Sequence, residues 1–243
     1  MPPEVSLTPS GGGPGAARPW RRTQGVLVDI GSTTTDLIPF RHGRVLTANR
    51  SDATRLEHSE LVYQGVVRTP LCALAQRIGW QHAGRATEVN VMNEFFATTA
   101  DVYRLTGELD TAHDQHPAAD NGAKDLAGSR ARLARMIGLD ARDANDSEWQ
   151  CFAQGWRAAQ LTELREQLGR VLAAHALQAP ALLVGAGCGA FLVPELVRSG
   201  WRHVNYAPDL VRIAPQASAD TAAWAQVCAA SVAVAALFEK DHG

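Results

Sequence analysis

Two aspartates bracket the string Asp29-Ile30-Gly31-Ser32-Thr33-Thr34-Thr35-Asp36. A strand ending at Asp29 delivers its carboxylate to a turn, and Gly31 permits that turn to be sharp and a ligand to lie close to the backbone. The amides and hydroxyls of Ser32, Thr33, Thr34 and Thr35 can then point at one anion as a nest. Two carboxylates flanking such a nest suit Mg²⁺, which bridges carboxylates and phosphates. Asp29 and Asp36 are therefore the expected metal ligands. No lysine follows the glycine, so the string is not a Walker A loop. The plainer alternative is a threonine-rich hairpin capped by its own side chains.

Three further stretches carry chemistry. In Arg68-Thr69-Pro70, Thr69 suits an N-cap and Pro70 the first helical position. A helix start with Arg68 before it can hold a phosphate or a carboxylate, or the arginine can simply bond a nearby acid. Glu94, Thr98 and Asp101 fall at i, i+4 and i+7 of a predicted helix and would share one face. That face can bind a cation, an amine or a proton in transit, or be a solvated polar stripe. Gly185, Gly187 and Gly189 follow an apolar run, Leu182-Leu183-Val184, and admit a ligand against the backbone. They satisfy the dinucleotide fingerprint only loosely, because no following βαβ unit is visible. Cys188 among them reads as a small packed residue, and the His113/His116 pair as part of a loop.

The elements that must position these groups follow from periodicity and breakers. Strands are predicted over residues 26–30, 35–40, 44–48, 181–184 and 203–206. Helices are predicted over 70–78, 93–106, 124–137, 147–177 and 219–240, with another from the glycine-rich turn to Ser199. Residues 1–24, containing SGGGPG and AARPWRR, read as a flexible Gly/Pro-rich arm. The chain has 243 residues, 46% of them apolar, with 23 basic against 25 acidic residues. That composition supports a sizeable core and shows no basic excess for nucleic acid. The apolar run 222–238 falls short of the ~20 residues that span a bilayer. Four cysteines without CxxC spacing and no secretory h-region suggest a reduced, cytoplasmic protein with no redox cofactor.

VDIGSTTTDLIPF (28–40) resembles the second phosphate-binding hairpin of the acetate kinase/Hsp70/actin superfamily, in its hydantoinase A-like branch. ELVYQGVVRTPLCAL (60–74), NEFFATTADVYRLTGEL (93–109) and RARLARMIGLD (130–140) resemble the tetrahydromethanopterin-linked one-carbon transfer pathway family, whose characterised members are ether-forming methanamine synthases of methanofuran biosynthesis. The resemblance implies an α/β, ribonuclease H-like (actin-like ATPase) domain over 25–243 with a mostly helical insertion over about 51–178. It implies a reaction in which an aminomethyl-furanmethanol diphosphate loses pyrophosphate and the phenol of γ-glutamyltyramine attacks the methylene.

On that basis Asp36, Arg68, Glu60, Glu94 and Asp101 are the expected catalytic residues. Glu60, Glu94 and Asp101 are the alternatives for the phenol's base or the substrate ammonium. Arg55, Tyr63, Thr69 and Thr98 join the nest and Gly31, Gly185, Gly187 and Gly189 as expected ligand-binding residues. Ser59 stands where the family pattern usually has glycine. These enzymes resemble two facing half-domains, and here the arm occupies the place of the first. A separate N-terminal half or a homo-oligomer is therefore the expected partner. A nucleotide-dependent hydantoinase or kinase relative, or a non-catalytic truncated subunit, are the alternative readings.

Overall fold

The computed structural model describes residues 5–6, 23–213 and 218–242; residues 1–4 and 7–22 of the expected arm lie outside the described residues. In chain order the strands are β1 (Val5–Ser6), β2 (Gln24–Ile30), β3 (Thr35–Arg41), β4 (Arg44–Val45), β5 (Leu61–Val62), β6 (Arg77–His82), β7 (Arg85–Asn90), β8 (Ala181–Ala186), β9 (Trp201–Asn205) and β10 (Arg212–Ile213). The α-helices are α1 (Asp52–Glu57), α2 (Thr99–Thr106), α3 (Leu126–Arg135), α4 (Asp146–Ala174), α5 (Ala219–Val227) and α6 (Ala229–His242). The chain divides into two compact units, one of residues 1–31, 35–62 and 167–243 and one of residues 32–34 and 63–166. No helix among the described residues is long and apolar enough to cross a membrane.

The first unit is built on a mixed sheet in the order β4-β3-β2-β8-β9, with β5 also pairing with β3. β2, β3 and β4 form the expected antiparallel meander, while β8 and β9 run parallel to β2. Along β2 the side chains alternate, so Val26, Val28 and Ile30 are fully buried on one face and Asp29 is carried on the other. All six residues of β8 are buried, as befits a central strand covered on both faces.

The second unit holds the β6–β7 hairpin, α2, α3 and most of α4. Its core is aromatic. Trp80 of β6 lies 4.8 Å from Trp149 and 5.2 Å from Phe152, both on α4, and Phe152 lies 5.9 Å from Trp156 (ring centroids). These α4 residues recur every three or four positions and continue as Leu161, Leu164 and Leu168, all buried. Asn145 caps α4, its Oδ1 accepting from the Glu148 amide at 3.1 Å.

Several predicted elements are corrected. The helix expected over 70–78 is a single 3₁₀ turn, Leu71–Ala73, followed by β6. Pro70 is extended (φ −62°, ψ 136°) and begins no α-helix. Ile78 and Trp80 are buried with exposed neighbours, a strand period hidden by its shortness. The helix expected from residue 93 begins only at Thr99 and ends at Gly107, whose φ is +77°. The third strand is cut to two residues, and the glycine-rich turn opens a 3₁₀ segment, Ala190–Leu196, with Pro194 inside it. The last predicted helix is interrupted at Cys228.

Candidate functional site

The hairpin site starts from register. Asp29 and Asp36 are direct partners across the antiparallel β2–β3 pair, so their side chains leave the same face as close neighbours. Burial first, and the facing Asp36 charge second, push the Asp29 carboxyl up to about 6. Among the described residues Asp36 is compensated where Asp29 is not: Arg55, in the last turn of α1, places its Nη2 2.5 Å from Asp36 Oδ1. The same nitrogen donates to the Glu60 carbonyl at 3.1 Å, which fixes the guanidinium.

On its other edge β2 pairs in parallel with β8, bringing Ala186 opposite Asp29. The chain then turns at Gly187, whose φ of +85° belongs to the left-handed region. A Cβ there would stand 2.2 Å from the Ile30 carbonyl oxygen and 2.5 Å from Asp29 Oδ1. The glycine that the site requires is therefore Gly187, whereas Gly31 does not adopt a positive φ. Gly189 donates its amide to the Ile30 carbonyl at 2.8 Å. Gln226 braces the turn, donating Nε2 to Gly185 O at 2.8 Å and accepting from the Gly187 amide through its own carbonyl at 3.0 Å. Burial, with the nearby Asp29 charge, pushes the Cys188 thiol up to about 11. It stays protonated near neutral pH and is not a nucleophile. Burial and Asp29 also raise Tyr206, whose buried hydroxyl has no hydrogen-bond partner among the described residues.

Between the aspartates, the amides of Ser32, Thr33 and Thr34 have no hydrogen-bond partner among the described residues. The Ser32 carbonyl accepts from the Val67 and Arg68 amides at 3.0 and 2.8 Å, which anchors the turn. Mg²⁺ fits this chemistry. Asp29 is an uncompensated, largely buried carboxylate, and Mg²⁺ commonly takes one or two carboxylates together with phosphate oxygens and water. Among the described residues no group of three or more His, Cys, Asp or Glu could cage a metal alone, so the remaining ligands would have to be phosphate and water.

Glu60, one of the expected bases, is buried and engaged. Thr47 Oγ1 and Asn49 Nδ2 donate to its Oε2 at 2.6 and 3.0 Å, and His175 Nε2 lies 3.4 Å from Oε1.

The second unit redistributes the remaining candidates. Thr69 caps no helix; its hydroxyl accepts from the Gly65 amide at 2.8 Å and closes a local turn. Glu94 is exposed in the segment before α2 and shares no helix face with Asp101. Thr98 is the N-cap residue of α2, and its amide donates to Asp101 Oδ2 at 3.1 Å. Asp101 Oδ1 receives Ser129 Oγ and Arg132 Nε, both at 2.8 Å, and Arg104 Nη1 at 3.1 Å. Asp101 is 1% exposed; it is a structural anchor with its oxygens filled. Arg68, Thr98 and Asp101 line one cavity, while Tyr63 stands 63% exposed. Sequence reasoning missed Arg132, Ser129, Gln226, His175 and Tyr206. Each is remote in sequence from the group it serves, and none lies in a local motif.

Comparison with known proteins completes the picture. Residues 8–223 match the hydantoinase/oxoprolinase family. Two curated relatives carry the name (4-{4-[2-(gamma-L-glutamylamino)ethyl]phenoxymethyl}furan-2-yl)methanamine synthase. The one from Methanocaldococcus jannaschii is 34% identical over 146 residues, covering 60% of this chain and 43% of the relative. The one from Methanococcus vannielii is 32% identical over 123 residues, covering 51% and 53%. The chain thus spans about half the length of the curated relatives it matches. A nucleotide-free acetone carboxylase structure aligns with 71% of this chain and 25% of its own at 13% identity and a TM-score of 0.37, a likeness too loose to support any statement. The match over residues 8–223 is what assigns the chain: it belongs to the hydantoinase/oxoprolinase family.

Proposed function

We propose that this chain serves an ether-forming synthase step of methanofuran-type cofactor biosynthesis. An aminomethyl-furanmethanol diphosphate would lose pyrophosphate and bond its methylene to the phenol oxygen of γ-glutamyltyramine. The names of the two curated relatives support the product. The strand order β4-β3-β2-β8-β9, a meander continued by two parallel strands, supports reading the sheet as ribonuclease H-like. The observation that carries the proposal is the hairpin: a largely buried Asp29 facing Asp36 across a turn, with no cation on Asp29 and no partner for three turn amides among the described residues.

In this reading the C–O bond to the diphosphate breaks with its electron pair leaving on pyrophosphate. The furan ring can hold positive charge on the methylene, so departure runs ahead of attack. The amides of Ser32, Thr33 and Thr34 hold the departing phosphate oxygens, acting where charge develops. Mg²⁺ on Asp29, with Asp36 beside it, would neutralise that charge. Arg55 holds the Asp36 carboxylate in one orientation. The phenol, with a pKa of about 10, gives up its proton to a carboxylate base as its oxygen bonds, and Glu94 is the acceptor in this reading. Glu60 and Asp101 have their oxygens engaged within the protein and do not serve as its base; Glu94 keeps its carboxylate open.

The test is mass-spectrometric detection of the aryl ether from the two substrates, with parallel assay of released pyrophosphate. Ether formed without ATP is the expected result. ATP-dependent turnover without ether would replace this reading with nucleotide-dependent hydantoinase or kinase chemistry.

A further inference from the structure

Within the second unit a cavity of about 430 Å³ opens among Arg68, Phe95, the start of α2 and the loop running from Asp114 to Lys124, a size typical of small-molecule sites. Its charges can be paired off one by one. Asp114 takes Arg104 Nη2 in a short ion pair and Lys124 Nζ at 3.5 Å. Lys124 also donates to the carbonyls of Asp114 and His116 at 2.5 and 3.1 Å, which holds its ammonium against that loop. Asp101 is filled by Ser129, Arg132 and Arg104. Arg68 is left. Its guanidinium has no hydrogen bond or ion pair among the described residues, while its backbone is fixed by the 2.8 Å bond from its amide to Ser32 O. Beside the polar Thr98, His116 and Asn121, the lining has an apolar side from Val67, Phe95 and the Pro117-Ala118-Ala119 stretch, and Phe95 is 54% exposed.

We infer that this cavity binds a small organic carboxylate with an apolar or aromatic body, its carboxylate forked on Arg68 and its body against Phe95 and Pro117. One uncommitted guanidinium matches one planar monoanion through two parallel bonds. A phosphate calls for more than one cation, and Arg104 and Lys124 are both held by Asp114, which leaves Arg68 as the unpaired arginine of the lining among the described residues. This goes beyond the reaction proposed above and stands whether or not pyrophosphate binds the hairpin.

Calorimetry and ligand-observed NMR on the full chain test it with 3-phenylpropionate, its neutral amide and inorganic phosphate as probes. The acid should bind at least tenfold more tightly than the amide, and phosphate at equal concentration should not displace it. Arg68→Ala should weaken the acid at least tenfold, and Arg68→Lys less. Phe95→Ala should weaken it a few-fold. Because both side chains are exposed, unchanged thermal melts will verify that the variants fold. Equal binding of acid and amide, retention by Arg68→Ala, displacement by phosphate, or no binding of the acid would each overturn the assignment.

Discussion

Asp29 and Asp101 are carboxylates withdrawn from water in different units of one chain, and their surroundings are opposite. Asp101 receives a serine hydroxyl, two arginines and a backbone amide, and every approach to it is filled. Asp29 has no cation partner among the described residues; it faces Asp36 across the β2–β3 pair, and burial pushes its carboxyl up to about 6. A buried charge without a partner costs stability, and such unrelieved carboxylates concentrate where ligands bind. Asp101 is the more deeply buried of the two, at 1% exposed, yet it is the one whose charge is met. Counting what each oxygen already accepts separates the anchor from the open carboxylate.

The largest expected effect lies at the anchor. Asp101→Asn would strip Arg132, itself 1% exposed, of its buried carboxylate and leave it only the partly exposed Asp120, at a cost of about 3 kcal/mol, read as a lower urea midpoint. A loss below 1 kcal/mol would erase the contrast with Asp29. Next comes Asp36→Asn. The fold should survive, since Asp36 is partly exposed, while turnover to the ether falls about a hundredfold or more; unchanged turnover and Mg²⁺ dependence would remove the hairpin from the chemistry.

Asp29→Asn sharpens the comparison in the other direction. A carboxyl whose native pKa is raised makes its ionised form a burden on the native state. That burden is complete above pH 6 and vanishes as the pH falls towards the unfolded value of 3.8. The variant should therefore be more stable by about 1–2 kcal/mol at pH 7, allowing for solvent screening, and should lose that gain by pH 4. An equal gain at both pH values would mean that the charge is not responsible. Smallest of all, Glu94→Gln should alter stability by less than about 0.5 kcal/mol, as for an exposed position without partners; a larger change in the melting curve would reveal a contact that exposed Glu94 does not show.

The hairpin was legible because its chemistry is local: eight consecutive residues place both carboxylates and the turn amides. The heptad-like run on α4 was equally plain. The β6–β7 hairpin was missed because only Ile78 and Trp80 are buried on β6 and almost nothing on β7, leaving little alternation to read. The role of Asp101 was misjudged because helical spacing counts residues on one element. Ser129 and Arg132 come from α3, 28 and 31 residues away, and Thr98 turns out to be a cap position. Arg55, expected as a ligand contact, holds Asp36, a pairing across 19 residues with no motif of its own.

The central claim, that Asp29 is an open, uncompensated carboxylate awaiting a metal-bound phosphate, can be measured directly by ¹³C-detected NMR titration of its side-chain carboxyl. Without ligand, Asp29 should titrate near pH 6, well above an ordinary aspartate. With Mg²⁺ and pyrophosphate its midpoint should fall, because a bound cation favours the ionised form. An ordinary midpoint near 4 that neither Mg²⁺ nor pyrophosphate moves would contradict the account.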